Sequence, residues 1–386
     1  MIGWRIGRKS MRHLIATLSV SLSVLASPVG AQQAGALISA EPMRDTPAGM
    51  QAWQVRYWTT NQDGVRQEVT GAVVAPREAV PTRPRRVIAW AHGTSGVVEK
   101  CGLSTHPLFF QATPGLEQAI REGYVVVAPD YPGLGTSMPH PYLVGGDTAN
   151  SVLDAVRAAR AIPGAAAGGQ FAVWGESQGG HAALWTAISA RSYAPDLTLV
   201  GTAAAAPPTD LAENMRRASE PNIRAMMMAF TLYSWSERFG YSLGGVVNRA
   251  NQGVVKRLAQ NNCITIGSTP KLGTILGIVS VRGALRNKDM GRIEPWAATM
   301  RANSVDPASV PGPLLIAQSI EDPLVASAVT RSFAKKMCKR RSAVRWIELP
   351  GGDHAHTARD SAVETLAWIS ARFEGQTPPD DCRTIG

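Results

Sequence analysis

Phe171-Ala172-Val173-Trp174-Gly175-Glu176-Ser177-Gln178-Gly179-Gly180 decides how this chain is read. Phe171–Trp174 is a short apolar run of the kind buried on both faces of a parallel sheet, and a helix is expected from Gln178 to about Ala190. Between them lies Gly-x-Ser-x-Gly. A serine at such a strand-to-helix junction must stand on a sharp, strained turn for its hydroxyl to leave the sheet. Gly175 and Gly179 flank it because side chains there would clash within that turn. The helix directs its positive end at the serine, which favours developing negative charge. The stretch therefore predicts a nucleophile, Ser177.

The surrounding chain repeats the alternation of strand and helix. Gln54–Thr60 and Val69–Val74 flank Asn61-Gln62-Asp63-Gly64, a hairpin signal. Arg86–Trp90 is an apolar run ending in Ala91-His92-Gly93, and Tyr124–Ala128 is β-branched after a helix at Leu116–Glu122. Val152, Ala155, Val156 and Ala159 share one face of a helix over 147–162. Leu197–Ala206 contains a strand ended by Pro207-Pro208, and Leu314–Gln318 and Val344–Leu349 are the last two strands. Helices are expected at about 323–337 and 357–373. This pattern predicts an α/β fold with a mostly parallel sheet covered on both faces. Residues 209–309 break it with Met226-Met227-Met228, an Asn- and Gly-containing stretch near 248–262 and the apolar run Ile275–Val281. They are expected to form a mainly helical cap inserted between core segments 32–208 and 310–386. Ile223, Met226, Met227 and Phe230 share one helical stripe, which reads as core packing before it reads as an acyl site.

The chain starts with a different kind of segment. Arg5, Arg8, Lys9 and Arg12 precede an apolar run, Leu14–Leu25, and Val29-Gly30-Ala31 is a small-residue cleavage pattern. Residues 1–31 are expected to be a secretory signal peptide, with Met11 a second candidate start. The run is too short to span a bilayer, and no later segment is apolar enough, so no stable membrane insertion is expected. Without residues 1–31 the net charge of +10 falls to +6 on 355 residues. No basic stripe interleaved with aromatics is present, so no nucleic-acid partner is expected. Export, to a secreted or periplasmic location, makes Cys101, Cys263, Cys338 and Cys382 candidates for disulfides, with three connectivities open. They form no C-x-x-C pair, and there is no H-E-x-x-H, phosphate loop or dinucleotide fingerprint, so no metal and no organic cofactor is expected.

A nucleophilic serine needs a base and a group that orients it. Three histidines follow Ser177. His181 lies one helical turn on and is expected to pack within the helix. His354 hangs in Gly351-Gly352-Asp353-His354-Ala355-His356 after the last strand and is preferred as the base over His356, at the start of the final helix. Asp322, at the end of Leu314–Gln318, is favoured over Glu321 as the acid. It also reads as the N-cap of the helix at 323, since Asp before Pro starts helices well. Asp130 ends an earlier strand and reads as structural. The oxyanion needs two backbone N–H groups, which are expected from Gln178 and, in the loop His92-Gly93-Thr94-Ser95-Gly96, from Thr94. His92 is expected to orient that loop.

Ala91-His92-Gly93-Thr94, Asp130-Tyr131-Pro132-Gly133-Leu134-Gly135, His140-Pro141-Tyr142-Leu143, Ser151-Val152-Leu153-Asp154-Ala155-Val156-Arg157 and Gly175-Glu176-Ser177-Gln178-Gly179-Gly180-His181 follow in order. Together they resemble the secretory lipase family of α/β-hydrolases, over about residues 40–375. The resemblance implies the α/β-hydrolase fold with a cap, and a serine esterase acting on triacylglycerols and simpler acyl esters. It implies a triad of Ser177, Asp322 and His354 and disulfides Cys101–Cys263 and Cys338–Cys382. An acyl ester or lipid substrate, met at a transient lipid interface, follows from it. Two other readings compete. A peptidase resembling prolyl-peptidase-like hydrolases would need an acidic anchor, for which Glu176 and Glu321 are candidates. A non-catalytic lipid-binding protein would have a broken triad, whereas all three members are present.

Overall fold

A computed structural model describes residues 1–4, 33–79, 81–265, 269–351 and 353–385. The expected signal peptide falls outside them from residue 5 on. Among the described residues nine strands form one sheet: β1 Leu37–Pro42, β2 Met50–Thr60, β3 Arg66–Pro76, β4 Arg85–Ala91, β5 Val125–Pro129, β6 Ala167–Glu176, β7 Thr198–Ala205, β8 Leu314–Ser319 and β9 Val344–Leu349. Their order is β1-β2-β3-β5-β4-β6-β7-β8-β9. The first three strands and β5 pair antiparallel; every pairing from β5 across to β9 is parallel. The short strand β1 was not expected; its residues alternate between half-buried and exposed at the sheet's edge and give little apolar signal.

The parallel strands are apolar throughout because helices cover both faces. On one face, Val87, Val127, Phe171 and Val173 pack against the helices Gly145–Arg160 and Gln178–Tyr193. On the other, Ile88, Val126, Ala172 and Trp174 pack against Leu116–Arg121 and Ala362–Phe373. This alternation fixes the register: β4 and β6 pair Ala89 with Val173 and Ala91 with Gly175. The loops after β4, β6, β8 and β9 consequently emerge at one edge.

Between β7 and β8 the chain is helical, with Leu211–Arg217, Pro221–Phe239, Arg249–Asn261, Leu272–Leu285 and Trp296–Asn303. The Asn-rich stretch near 248 becomes a helix because the Asn248 side chain accepts from the Asn251 N–H at its start. The helix Pro221–Phe239 buries Met228, Phe230, Leu232 and Trp235. One disulfide, Cys101–Cys263, ties this insertion to the loop after β4, and a second, Cys338–Cys382, ties down the C-terminal tail. This is the pairing the family resemblance implies. Among the described residues no helix is long and apolar enough to cross a membrane.

Two expected helices begin or run differently. The helix after β8 starts at Ser327, not 323. Asp322 does accept from the Leu324 and Val325 N–H groups, at 2.9 and 2.8 Å, but these close a loop rather than a helical turn. The final helix is interrupted: Thr357–Asp360 and Ala362–Phe373 meet at Ser361, whose hydroxyl bonds back to the Thr357 carbonyl at 2.7 Å.

Candidate active site

Ser177 sits between β6 and the helix Gln178–Tyr193 with φ 55° and ψ −118°. A non-glycine residue holds such a backbone only where its surroundings impose it. The Ser177 N–H donates to Ala205 O at 2.9 Å, pinning the turn to β7. A Cβ on Gly175 would land on the Gly179 carbonyl, and one on Gly179 on the Ala91 carbonyl. Both glycines are thus required by close backbone approach.

His354 reaches this turn from the loop after β9. Its Nε2 lies 2.7 Å from Ser177 Oγ and its Nδ1 2.7 Å from Asp322 Oδ2. A carboxylate only accepts, so Nδ1 carries the proton and Nε2 is the acceptor for the serine hydroxyl. Asp322 is held by the Leu324 and Val325 N–H groups on one oxygen and by Gln318 Nε2, at 3.1 Å, on the other. Burial pulls the His354 imidazole toward neutrality, but the hydrogen bond and charge of Asp322, with Glu176 and Asp353 behind, more than offset this. Its pKa is raised above the usual 6.5.

His356 is half-buried and pairs instead with Asp353 at 2.7 Å. His181 is buried, with its side-chain Nε2 2.7 Å from Asn303 O, and only its backbone N–H meets the serine, at Ser177 O, 3.0 Å away. Asp130 accepts from Thr70 Oγ1 at 2.8 Å and from the Ser104 N–H at 2.7 Å, as a structural residue would. His92 Nδ1 lies 2.6 Å from Gly93 O in its own loop and its Nε2 3.4 Å from Asp130 O, so the ring ties that loop to the end of β5. Glu321 is exposed. Glu176 accepts from the Ala358 N–H at 2.8 Å and so braces the histidine loop against β6; burial pushes its pKa up to about 7.

Thr94 and Gln178 stand on either side of the serine, one after β4 and one at the start of the elbow helix, where the N–H has no intrahelical acceptor. Their side chains reveal two residues to which the spacing gave no role. His140 Nδ1 lies 2.8 Å from Pro132 O and must carry the proton, so its bare Nε2, 2.9 Å away, accepts from the Gln178 amide. Burial lowers the His140 pKa to about 3, which keeps it neutral. Tyr142 OH lies 2.9 Å from Thr94 Oγ1. The same segment is anchored to the insertion: the Tyr142 N–H donates to Ser234 Oγ at 2.9 Å, and Trp235 Nε1 to Tyr142 O at 2.8 Å. The sequence signal was His140-Pro141-Tyr142-Leu143 itself, but its partners lie 38 and 48 residues away.

A family profile described as Secretory lipase matches residues 111–381, more than half of the chain. The chain belongs to the secretory lipase family. It is 21% identical over 369 residues to Lipase A of Moesziomyces aphidis, covering 86% of this chain and 74% of that one. It is 24% identical over 359 residues to a probable inactive lipase of Mycobacterium tuberculosis, covering 86% and 76%. Among solved structures it resembles Candida antarctica lipase A in its closed state, with TM-score 0.74, 20% identity and coverage of 93% and 86%. It also resembles the rice cell wall degrading esterase LipA of Xanthomonas oryzae, with TM-score 0.68, 18% identity and coverage of 89% and 98%. Family and fold together place it among the lipase/esterase hydrolases of the α/β-hydrolase fold.

In this secretory lipase, a cavity of about 1490 Å³ opens onto Ser177 and His354. Its far wall comes from the insertion, through Ile223, Met226, Met227, Leu258, Ile264 and Leu276. The methionine stripe therefore divides: Met226 and Met227 face the cavity, while Phe230 is core. The helix Leu272–Leu285 buries only Val281; Leu272 and Leu276 are 71% and 62% exposed, and Ile275 and Val279 are exposed beside them.

Proposed function

We propose that the protein is an exported serine hydrolase of carboxylic acyl esters, a triacylglycerol lipase or carboxylesterase, working through an acyl-enzyme. The observation that carries this reading is the unbroken chain Ser177 Oγ, His354, Asp322, with 2.7 Å at each link. His354 Nε2 takes the proton of Ser177 as its oxygen attacks the ester carbonyl. The N–H groups of Thr94 and Gln178 hold the tetrahedral oxyanion, each worth about 3–4 kcal/mol of barrier in comparable sites. His354 then protonates the leaving alcohol, and a water activated by the same base releases the acid. Asp322 keeps the imidazole in the required tautomer and stabilises its charged form. The name of the mycobacterial relative is a reminder that membership of this family is not turnover; here the hydrogen-bonded triad supports turnover.

Residues 209–309 act as a cap in this reading, and the cavity beneath them takes the acyl chain. Of the exposed side chains of Leu272–Leu285, Leu276 lines that cavity and Leu272, Ile275 and Val279 stand outside its lining on the same helix, a surface that suits an apolar substrate phase. The stretch from Arg249 to Lys288 carries seven Lys and Arg and no Asp or Glu, so this face favours an anionic lipid surface. Residues 1–31 serve as the export signal.

The test is hydrolysis of p-nitrophenyl esters from acetyl to palmitoyl, with Ser177→Ala as control. Wild-type turnover should fall by about 10⁶-fold in the variant if Ser177 is the nucleophile. Activity on long chains marks a lipase, and activity confined to short chains an esterase. Turnover that survives Ser177→Ala, or folded wild-type enzyme that cleaves aminoacyl amides and no ester, would reject the reading.

A further inference from the structure

A second, much smaller cavity of about 50 Å³ lies on the other side of Ser177 and Gln178. Its walls are almost wholly apolar, with Leu211, Met215, Trp235 and Leu324 among them, and no charged residue lines it. One side chain breaks that character. Asn214, from the helix Leu211–Arg217, lines the cavity and is only 5% exposed. Neither its Oδ1 nor its Nδ2 has a hydrogen-bond partner among the described residues. Its main chain is fully used, the N–H by Asp210 O and the carbonyl by the Ala218 N–H, so only the amide is unsatisfied. Gln178 Oε1, on the same cavity, is also without a partner among the described residues. Buried amides almost always find partners, and one left open beside a reactive serine calls for a ligand group.

We propose that this cavity is a subsite for the alcohol arm of the ester, and that Asn214 selects a short arm ending in a hydroxyl. The proposal rests on Ser177 being the nucleophile. Both cavities touch Ser177, so an ester bound there extends its long arm beneath the insertion and its short arm toward Asn214. The volume holds about one or two waters, or an arm of similar size, which excludes a second long chain and so narrows the proposed function to its carboxylesterase side. A hydroxyl both donates and accepts, matching the open Nδ2 and Oδ1 of the amide. An anionic arm finds no cation there.

The experiment compares ethylene glycol monooctanoate with propyl octanoate, which differ by a terminal hydroxyl in place of a methyl. Wild type should favour the glycol ester by about tenfold or more in kcat/KM, since the alkyl ester leaves the amide unpaired. Asn214→Leu should erase or invert that ratio. Labelling of Ser177 by a fluorophosphonate counts competent enzyme in each preparation. A wild-type ratio near one, with labelled enzyme, means that the cavity holds only water and overturns the subsite. A ratio that persists in Asn214→Leu overturns it too. Should Asn214→Leu fail to fold, the wild-type ratio still decides. No labelling and no hydrolysis of either ester would instead sink the esterase reading itself.

Discussion

Around Ser177 the polar groups, Gln178 Oε1 apart, are spoken for. Asp322 accepts three N–H groups besides His354, Glu176 takes the Ala358 N–H, and Thr94 and Gln178 are held by Tyr142 and His140. Across the cavity the insertion is built the other way. The helix Leu272–Leu285 turns Leu272, Ile275, Leu276 and Val279 to solvent, and Asn214 holds a buried amide with no partner among the described residues. A site that must stabilise a transition state is preorganised, so that no reorganisation is needed at the moment of reaction. A surface that must receive an apolar or hydroxylated ligand leaves contacts unmade until the ligand supplies them. Among the joins between the two regions are the Cys101–Cys263 disulfide and the segment His140–Tyr142.

Breaking the covalent join should have the largest effect. Cys101–Cys263 closes a loop of 162 residues and Cys338–Cys382 one of 44. The chain-entropy relation gives about 5 and 4 kcal/mol respectively. Urea midpoints of Cys101→Ser/Cys263→Ser and Cys338→Ser/Cys382→Ser check this, and the first pair should also lose esterase activity before global unfolding, since it frees the insertion from the loop that holds Thr94. Coincident loss of activity and fold in both would show that the insertion and the rim form one cooperative unit.

The rim was far more legible in the sequence than the insertion, and the reason is physical. The elbow needs its glycines within two residues of Ser177, so the requirement is written locally. The apolar strands are short and bounded by Gly and Pro, and they gave the sheet. His354 was distinguished from His356 by its place after β9. The roles of His140, Tyr142 and Asn214 were not legible, because each depends on a residue or void brought near by the fold. The start of the helix after β8 was misplaced for a related reason. Asp322 makes cap-like hydrogen bonds, but its other oxygen is committed to His354 and Gln318, and the segment after it closes as a loop.

The exposed face of Leu272–Leu285 offers the next contrast. Ile275→Ser with Leu276→Ser removes two side chains that the protein does not bury, so the urea midpoint should move by no more than about 0.5 kcal/mol. Binding to vesicles containing anionic lipid should weaken by about 2–3 kcal/mol, the value of two apolar side chains withdrawn from water. Flotation with neutral and anionic vesicles measures it. A large loss of stability with unchanged binding would place these residues in the fold and not at an interface.

The non-covalent join through Tyr142 is subtler. Tyr142→Phe removes one hydrogen bond to Thr94 and leaves the ring in place, which corresponds to about 1 kcal/mol or roughly fivefold. The loss should fall on kcat with KM little changed, because a displaced oxyanion donor weakens the transition state and not the ground state. Thr94→Val removes the other partner of the same bond, so the double variant should be no worse than the poorer single one. Additive losses would separate the two residues.

The smallest effect concerns charge on the rim. The raised pKa of His354 means that the neutral base is gained only above the ordinary imidazole range, so kcat/KM should rise with pH along a limb placed above 6.5. Glu176 contributes to that elevation as an anion, alongside Asp322 and Asp353. Glu176→Gln keeps an acceptor for the Ala358 N–H but removes the charge, so the limb should move to lower pH. The shift is self-limited. Glu176 itself titrates near 7, so through much of the limb it is already partly protonated and exerts only part of its charge. A displacement to lower pH smaller than a full anion would produce, with kcat on the plateau preserved, is the expected profile. An unmoved limb would make Glu176 a neutral brace, leaving Asp322 and Asp353 to set the pH dependence; an upward shift would contradict the sign of the interaction altogether.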